Sequence, residues 1–261
     1  MSKSEVNSTS YSVSTPTGFV ETLSSASLSR PGCILCSLAS TCKTPFLRPW
    51  IPKGWTGKIL GVGEAPGKDE DEESGRPFTG PSGKLLYRML RAAGFHDHDL
   101  ALVNTVRCRP RGNKTPTMRQ VRACRPFLIR VVEQLKPEFV VAFGAVAAKG
   151  LLDRGSASVT SLRGRPVELR FDERTVPVRV TYHPAAILRG ATHLQKRVVD
   201  DLIRLRVVDR RDLEIVSEPL TDKVLSVDTE YDPNGNLLTL ALAGATKARA
   251  WDVAYHPGAT Q

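Results

Sequence analysis

The sequence predicts an α/β fold with a parallel central sheet, and three observations carry that prediction. Between residues 58 and 208, short apolar runs that read as strands alternate with runs of helical periodicity. Apolar residues make up 41% of the 261 positions, enough for a sizeable core. Residues able to carry chemistry recur just past the strand runs, where ligands sit in open parallel sheets.

In chain order, residues 1–28 are rich in Ser and Thr with few large apolar groups, and are expected to form a disordered arm. The following stretch, to residue 55, holds Cys33-x-x-Cys36 and several prolines and reads as loop. KILGVG (58–63) is a buried-strand pattern ending in a turn. SGKLLYRMLRAAG (82–94) puts Leu85, Leu86, Met89, Leu90 and Ala93 on one helical face, and Gly94 stops it. LALVNT (100–105) reads as strand, 117–135 as helix, EFVVAFG (138–144) as strand and AVAAKGLL (145–152) as helix. VPVRVTY (176–182) closes the strands and 192–208 the helices. Past the strand ends come Glu64 with Ala65, Asn104, Gly144 and His183, which the topology gathers at one edge. The domain is therefore placed at 29–208, followed by a charged linker over 209–222. Residues 223–261 read as successive strands with Asn234-Gly235 as a hairpin turn, a partial β-rich segment.

Lys plus Arg number 37 against 27 acids, a net charge of +10, which points to nucleic acid as partner. No apolar run approaches the ~18 residues of a membrane span, and the N-terminus lacks a secretory pattern. A cytoplasmic monomer is expected. Five cysteines without a secretion signal favour metal binding over disulfides. Cys33-x2-Cys36 and Cys108-x15-Cys124 supply four thiolates whose spacing suits either zinc or an iron–sulfur cluster, with Cys42 either a spare thiol or a competitor of Cys36.

GVGEAPGKDEDEESGRPFTGPSGKLL (61–86) suits a long loop that folds over a ligand before a helix. Ser82 and Gly83, at the helix start, are placed to touch a phosphate. Phe78 either stacks on a flat base or anchors the loop, and the acid run 69–73 reads as a solvated loop. Asn104 either matches the edge of a base with its donor and acceptor or caps a turn. Two Tyr-His-Pro copies occur; His183 falls at the sheet edge, whereas His256 lies outside the alternation and reads as a turn residue.

GEAPG…GRPFTGPSGKLL, NTVRCRP…KTPT…C, AFGAVAAKGLL, TSLRGRP and YHPAAILR, in this order, resemble the family 4 uracil-DNA glycosylases, over about 30–208. The resemblance implies a three-layer α/β/α sandwich and removal of uracil from DNA in base excision repair. It implies that Glu64 and the Ala65 backbone place water at the sugar, that Phe78 stacks on uracil, that Asn104 reads its amide edge, and that His183 donates toward its O2. It tilts the four thiolates of Cys33, Cys36, Cys108 and Cys124 to a 4Fe–4S cluster, with zinc the alternative. Ile187 or Leu188 is either a wedge that pushes the base from the stack or part of the core. Two departures stand out: Ala185 replaces the usual Ser after His-Pro, with loss of one phosphate contact, and the acidic loop is one residue longer. LSVDTEYD (225–232) is similar to the first motif of the proofreading 3′–5′ exonucleases of family A DNA polymerases. This implies Asp228 and Glu230 as metal-binding positions, with a polymerase module in cis, whereas the local pattern favours a surface Asp-Thr-Glu on a strand edge; 223–261 is too short to complete the domain. The competing function is a non-catalytic uracil- or DNA-binding module of such a polymerase.

Overall fold

A computed structural model describes residues 9–12, 33–172, 174–205, 214–215, 226–231, 237–243 and 247–252. The chain divides into two compact units, Met1–Ile203 and Arg204–Gln261. In the first, the strands are β1 (Thr9–Ser12), β2 (Ile59–Gly63), β3 (Leu100–Asn104), β4 (Phe139–Phe143), β5 (Val167–Arg170) and β6 (Thr175–Thr181). They form one sheet in the order β1-β5-β6-β4-β2-β3. β2, β3, β4 and β6 run parallel, while β5 pairs antiparallel with β6. The helices are α1 (Pro81–Ala92), α2 (Met118–Leu135), α3 (Ala145–Leu152), α4 (Val159–Leu162), α5 (Pro184–Leu188) and α6 (Leu194–Ile203).

Alternation along each buried strand makes the layers. Leu60 and Val62, Ala101 and Val103, and Val140 and Ala142 pack with Leu128, Val132, Ala148 and Leu151 of α2 and α3. The alternate positions, such as Gly61, Leu100, Leu102 and Phe143, meet one another on the opposite face. There α1, α5 and α6 pack together, α6 against β6. The result is the three-layer sandwich that the sequence predicts.

Local chemistry sets the element ends. Thr117 accepts from the Gln120 N–H, and Gln120 returns a bond to the Thr117 N–H, a capping box that starts α2. Lys136 ends it in the left-handed region, just before Pro137. Gly94, at φ +81°, follows α1 in the position the sequence predicts.

Several expectations change. The acid run is not a solvated loop: Glu70–Ser74 forms one π-type helical turn in which Asp71 is buried. β5, only four residues long, and the short α4 have no counterpart in the sequence reading. Ile187 is a core residue at 4% exposure, whereas Leu188 is 49% exposed. The expected disordered arm falls outside the described residues except at Thr9–Ser12, which pair parallel with β5.

The second unit holds β7 (Glu214–Ile215), β8 (Ser226–Tyr231), β9 (Leu237–Ala243) and β10 (Lys247–Asp252), in the sheet order β7-β10-β9-β8. β8 and β9 pair antiparallel on either side of the expected hairpin. Asp228 and Glu230 lie on β8. Asn234-Gly235 and His256 lie outside the described residues. Among the described residues no helix is long and apolar enough to cross a membrane.

Asp201 of α6, 1% exposed, accepts a 2.5 Å bond from Thr181 Oγ1 at the end of β6 and pairs with Arg163 Nε at 2.8 Å. Removing the buried carboxylate strands the fully buried Thr181 hydroxyl and the partly exposed Arg163 guanidinium. Asp201→Ala is expected to cost about 3 kcal/mol of stability, read as a lower urea midpoint at unchanged slope. An unchanged midpoint would mean that the pair contributes nothing to the fold.

Candidate active site and cysteine site

The parallel register brings the sequence-distant candidates together. Gly63 of β2 stands beside Asn104 of β3, and Phe143 of β4 beside Thr181 of β6. Glu64, Asn104 and His183 therefore open into one pocket of about 550 Å³ with Ala65, Phe78 and Ser82. Gly83 and Ile187 do not line it, nor does Leu188. Gly83 has a packing role instead: a Cβ there would strike the Phe78 carbonyl.

Asn104 is 4% exposed at the end of β3. The next residue pins that strand end, since Thr105 N and Oγ1 donate to the Gly63 carbonyl at 2.9 and 2.7 Å. Among the described residues the Asn104 Nδ2 has no hydrogen-bond partner. A buried, unsatisfied amide donor costs about 1–3 kcal/mol, so its place in a pocket marks a ligand-facing group. Gly63 makes room for it, because a Cβ there would collide with both Asn104 Oδ1 and the Phe78 ring.

Phe78 adopts φ +59°, a conformation that a bulky side chain rarely takes. Glu70 holds it there, its Oε1 accepting from Phe78 N and its Oε2 from Gly67 N, both at 2.6 Å. Burial nevertheless pushes the Glu70 carboxyl above its usual range, against the pull of those N–H groups. The Phe78 ring lies edge-on to Phe143 and stacked on His183, with centroids 5.7 Å apart at 23°.

His183 caps α5, and its Nδ1 accepts from the Ala185 N–H at 3.1 Å. An accepting Nδ1 requires the proton of the neutral ring to sit on Nε2. Burial, with the Arg189 charge adding to it, lowers the His183 pKa to about 4. Gly144, at φ +91°, passes close behind, where a Cβ would press on His183 Cβ at 3.2 Å. Burial also raises the Glu64 carboxyl, opposed by a hydrogen bond from Thr115 and by the Arg189 charge. Sequence reasoning missed Gly63, Thr115 and Arg189. For the last two, the signal was a polar residue within a motif already singled out.

The thiols form a second site. Cys108 and Cys124 are buried in an apolar cluster with Leu38, Val106, Val121 and Val146, and Cys36 and Cys42 pack against it. Cys124 feels the charges of both Cys36 and Cys33, while Cys42 hydrogen-bonds Cys108. Burial pushes Cys108 up to about 12 and Cys124 to about 11. Phe46 N donates to Cys108 Sγ at 3.2 Å, and the Arg107 N–H to Cys124. The fully buried Arg107 guanidinium lies over the Phe46 ring at 4.5 Å, donates to the Leu47 carbonyl and acts on both thiols. Thiols from two segments, N–H donors aimed at sulfur and a buried cation suit an anionic cluster bound by thiolates. Among the described residues no three His, Cys, Asp or Glu side chains are arranged to hold a single ion.

The His183 shift has a consequence for stability. The unfolded chain takes up a proton near the ordinary value of 6.5, whereas the folded site does so only near 4. Stability is therefore lost as pH falls from about 6.5 to about 4. In urea titrations across that window, His183→Gln should lose less stability than the wild type. Parallel curves would mean that the ring is solvated and titrates normally.

The comparisons with known proteins agree with this geometry. The family model of the uracil DNA glycosylase superfamily matches residues 53–204. A type-4 uracil-DNA glycosylase of Thermotoga maritima is 38% identical over 142 residues, 54% of this chain and 72% of that protein. One from Pyrobaculum aerophilum is 40% identical over 134 residues, 50% of this chain and 68% of that protein. A type-5 uracil-DNA glycosylase of Thermus thermophilus is 37% identical over 110 residues, with coverage of 36% and 49%. A pocket at the strand ends, a stacked Phe–His pair and an Asn104 Nδ2 without a partner among the described residues thus sit on a chain that belongs to the uracil DNA glycosylase superfamily, with type-4 enzymes among its relatives.

Proposed function

We propose that this protein is a uracil-DNA glycosylase that hydrolyses the N-glycosidic bond of uracil in DNA, as a type-4 enzyme of base excision repair. The observation that carries the reading is the buried, unpartnered Asn104 Nδ2 in a pocket walled by stacked Phe78 and His183. A flipped uracil presents an O4 that accepts from an amide N–H and an N3–H that donates to an amide oxygen. Cytosine presents a donor at the first position and an acceptor at the second. Phe78, which lines the pocket, stacks on the flat ring of the base. As the bond breaks, electrons pass to uracil and positive charge grows on the sugar. The His183 Nε2–H, fixed by its tautomer, donates to O2 where the negative charge develops. The Glu64 carboxylate, with the Ala65 backbone beside it, orients the attacking water and faces the cationic sugar.

Leu188, exposed next to Arg189, is the wedge in this reading. The exposed Lys114, Lys68 and Arg189 and the Ser82 helix start meet the phosphates. Cys33, Cys36, Cys108 and Cys124 hold the cluster, a 4Fe–4S group whose chemistry here is to cross-link two chain segments. The tail reading assigns β8, with Asp228 and Glu230, to the start of a proofreading exonuclease segment, which would link repair to a polymerase in cis.

Single-turnover release of uracil from single-stranded DNA at one salt concentration tests the reading, since salt alone moves affinity. Wild type should release uracil and leave an alkali-labile site, whereas a binding module would retain the base. His183→Ala should slow release by about 10²–10³-fold with little change in affinity for uracil-free DNA. Asn104→Asp should slow it by roughly 10²-fold or more. Near-native rates in both variants would move the chemistry elsewhere.

The cysteine assignment has its own readout. Purified protein should be brown and carry iron, lost together with solubility in Cys108→Ser but retained in Cys42→Ser. A colourless protein that carries zinc would overturn the iron assignment and keep the four ligands.

A further inference from the structure

We propose that Asp71 is a positioning residue that ties the cysteine-bearing segment to Phe78, so that the thiol site sets the shape of the uracil pocket. The inference rests on the glycosylase reading above.

Consecutive residues of the π-type turn Glu70–Ser74 reach in opposite directions. Glu70 faces the pocket loop and holds the N–H groups of Gly67 and Phe78. Asp71 faces the segment that follows Cys42. Its two carboxylate oxygens accept from Lys43 N at 3.1 Å and from Thr44 N at 2.8 Å. Thr44 Oγ1 donates back to the Asp71 carbonyl at 2.6 Å, and Lys43 Nζ to the Glu72 carbonyl at 2.9 Å. A second tie runs to the other cysteine segment: Arg109, next to Cys108, reaches Glu72 Oε1 at 2.6 Å and Asp71 at 3.8 Å. The turn is thus bonded to both cysteine-bearing segments on one side and to Phe78 on the other.

The carboxylate is 3% exposed, and its bonds span 27 and 28 residues of sequence. A carboxylate spent on two backbone N–H groups fixes where a turn sits. Phe78 needs such fixing, because its left-handed backbone persists only if its surroundings over-determine it. A small displacement of the ring would misplace the base against Asn104 and His183, and misplacement on the ångström scale costs about 10² in rate.

Asp71→Asn keeps the shape but turns one acceptor into a donor that faces a backbone N–H. Iron content and affinity for uracil-free DNA should stay at wild-type levels. The Kd for free uracil should rise about tenfold, and single-turnover uracil release should slow by about tenfold to 10²-fold. On a Phe78→Leu background the same substitution should have little further effect, because Asp71 acts through that ring. Wild-type release and uracil affinity in Asp71→Asn, or equal fold-losses in both backgrounds, would overturn the proposal while leaving the glycosylase reading intact. A wild type without uracil release fails that reading instead. If Asp71→Asn loses its iron, Thr44→Val, which removes only the hydroxyl bond to the Asp71 carbonyl, carries the test. A severalfold slowing with full iron content supports the tie, and an unchanged rate sinks it.

Discussion

The left-handed backbone of Phe78 is the constraint on which the pocket depends. In that conformation the ring lies against Gly63 close to Asn104 and stacks on His183. For an L-residue it costs about 1–2 kcal/mol, so other groups must hold it. Two do so: the Glu70 carboxylate on the Phe78 N–H, and the close passage of the Phe78 carbonyl over Gly83. The first turn of α1 is therefore part of the pocket although Gly83 never faces its interior. Of the two roles its sequence context offered, the structure shows the loop anchor, through the Phe78 backbone, while the ring stacks on His183.

The same site carries a second unfavourable term, the buried Asn104 Nδ2, which has no hydrogen-bond partner among the described residues. Both follow from preorganisation. A donor buried before a ligand arrives needs no rearrangement on binding, and a ring already in place loses little entropy on contact. Stability for these features comes from elsewhere in the sheet, where Leu60, Val62, Val103, Val140 and Ala142 are all fully buried.

The sheet was legible because its central strands are apolar runs, and a parallel strand covered on both faces has no other way to read. The order of the strand ends followed, and with it the meeting of Glu64, Asn104 and His183. β5 escaped because four residues with alternating burial give too short a pattern. The acid run was misread because charge density usually means solvent. The partners that bury Asp71 are backbone groups of Lys43 and Thr44, which no side-chain pattern advertises. Ile187 and Leu188 are adjacent and alike in hydropathy, so only the packing of the one-turn α5 separates a core residue from an exposed one. Gly63 was hidden for a related reason: its role is the absence of a side chain opposite two others.

Ala185 shows how a departure in sequence can leave a hydrogen bond of the pocket untouched. The serine that usually follows His-Pro supplies a hydroxyl, and an alanine cannot. What His183 takes from position 185, however, is the backbone N–H, which every residue except proline offers. That single bond makes Nδ1 an acceptor, places the proton on Nε2 and opposes formation of the imidazolium, which would need a proton at Nδ1 as well. Burial acts in the same direction. The substitution therefore bears on contacts made by the side chain, such as one to a phosphate, and not on the protonation state of the ring. The side chain and the backbone N–H of residue 185 thus act separately, so the first can vary while the bond to His183 is held.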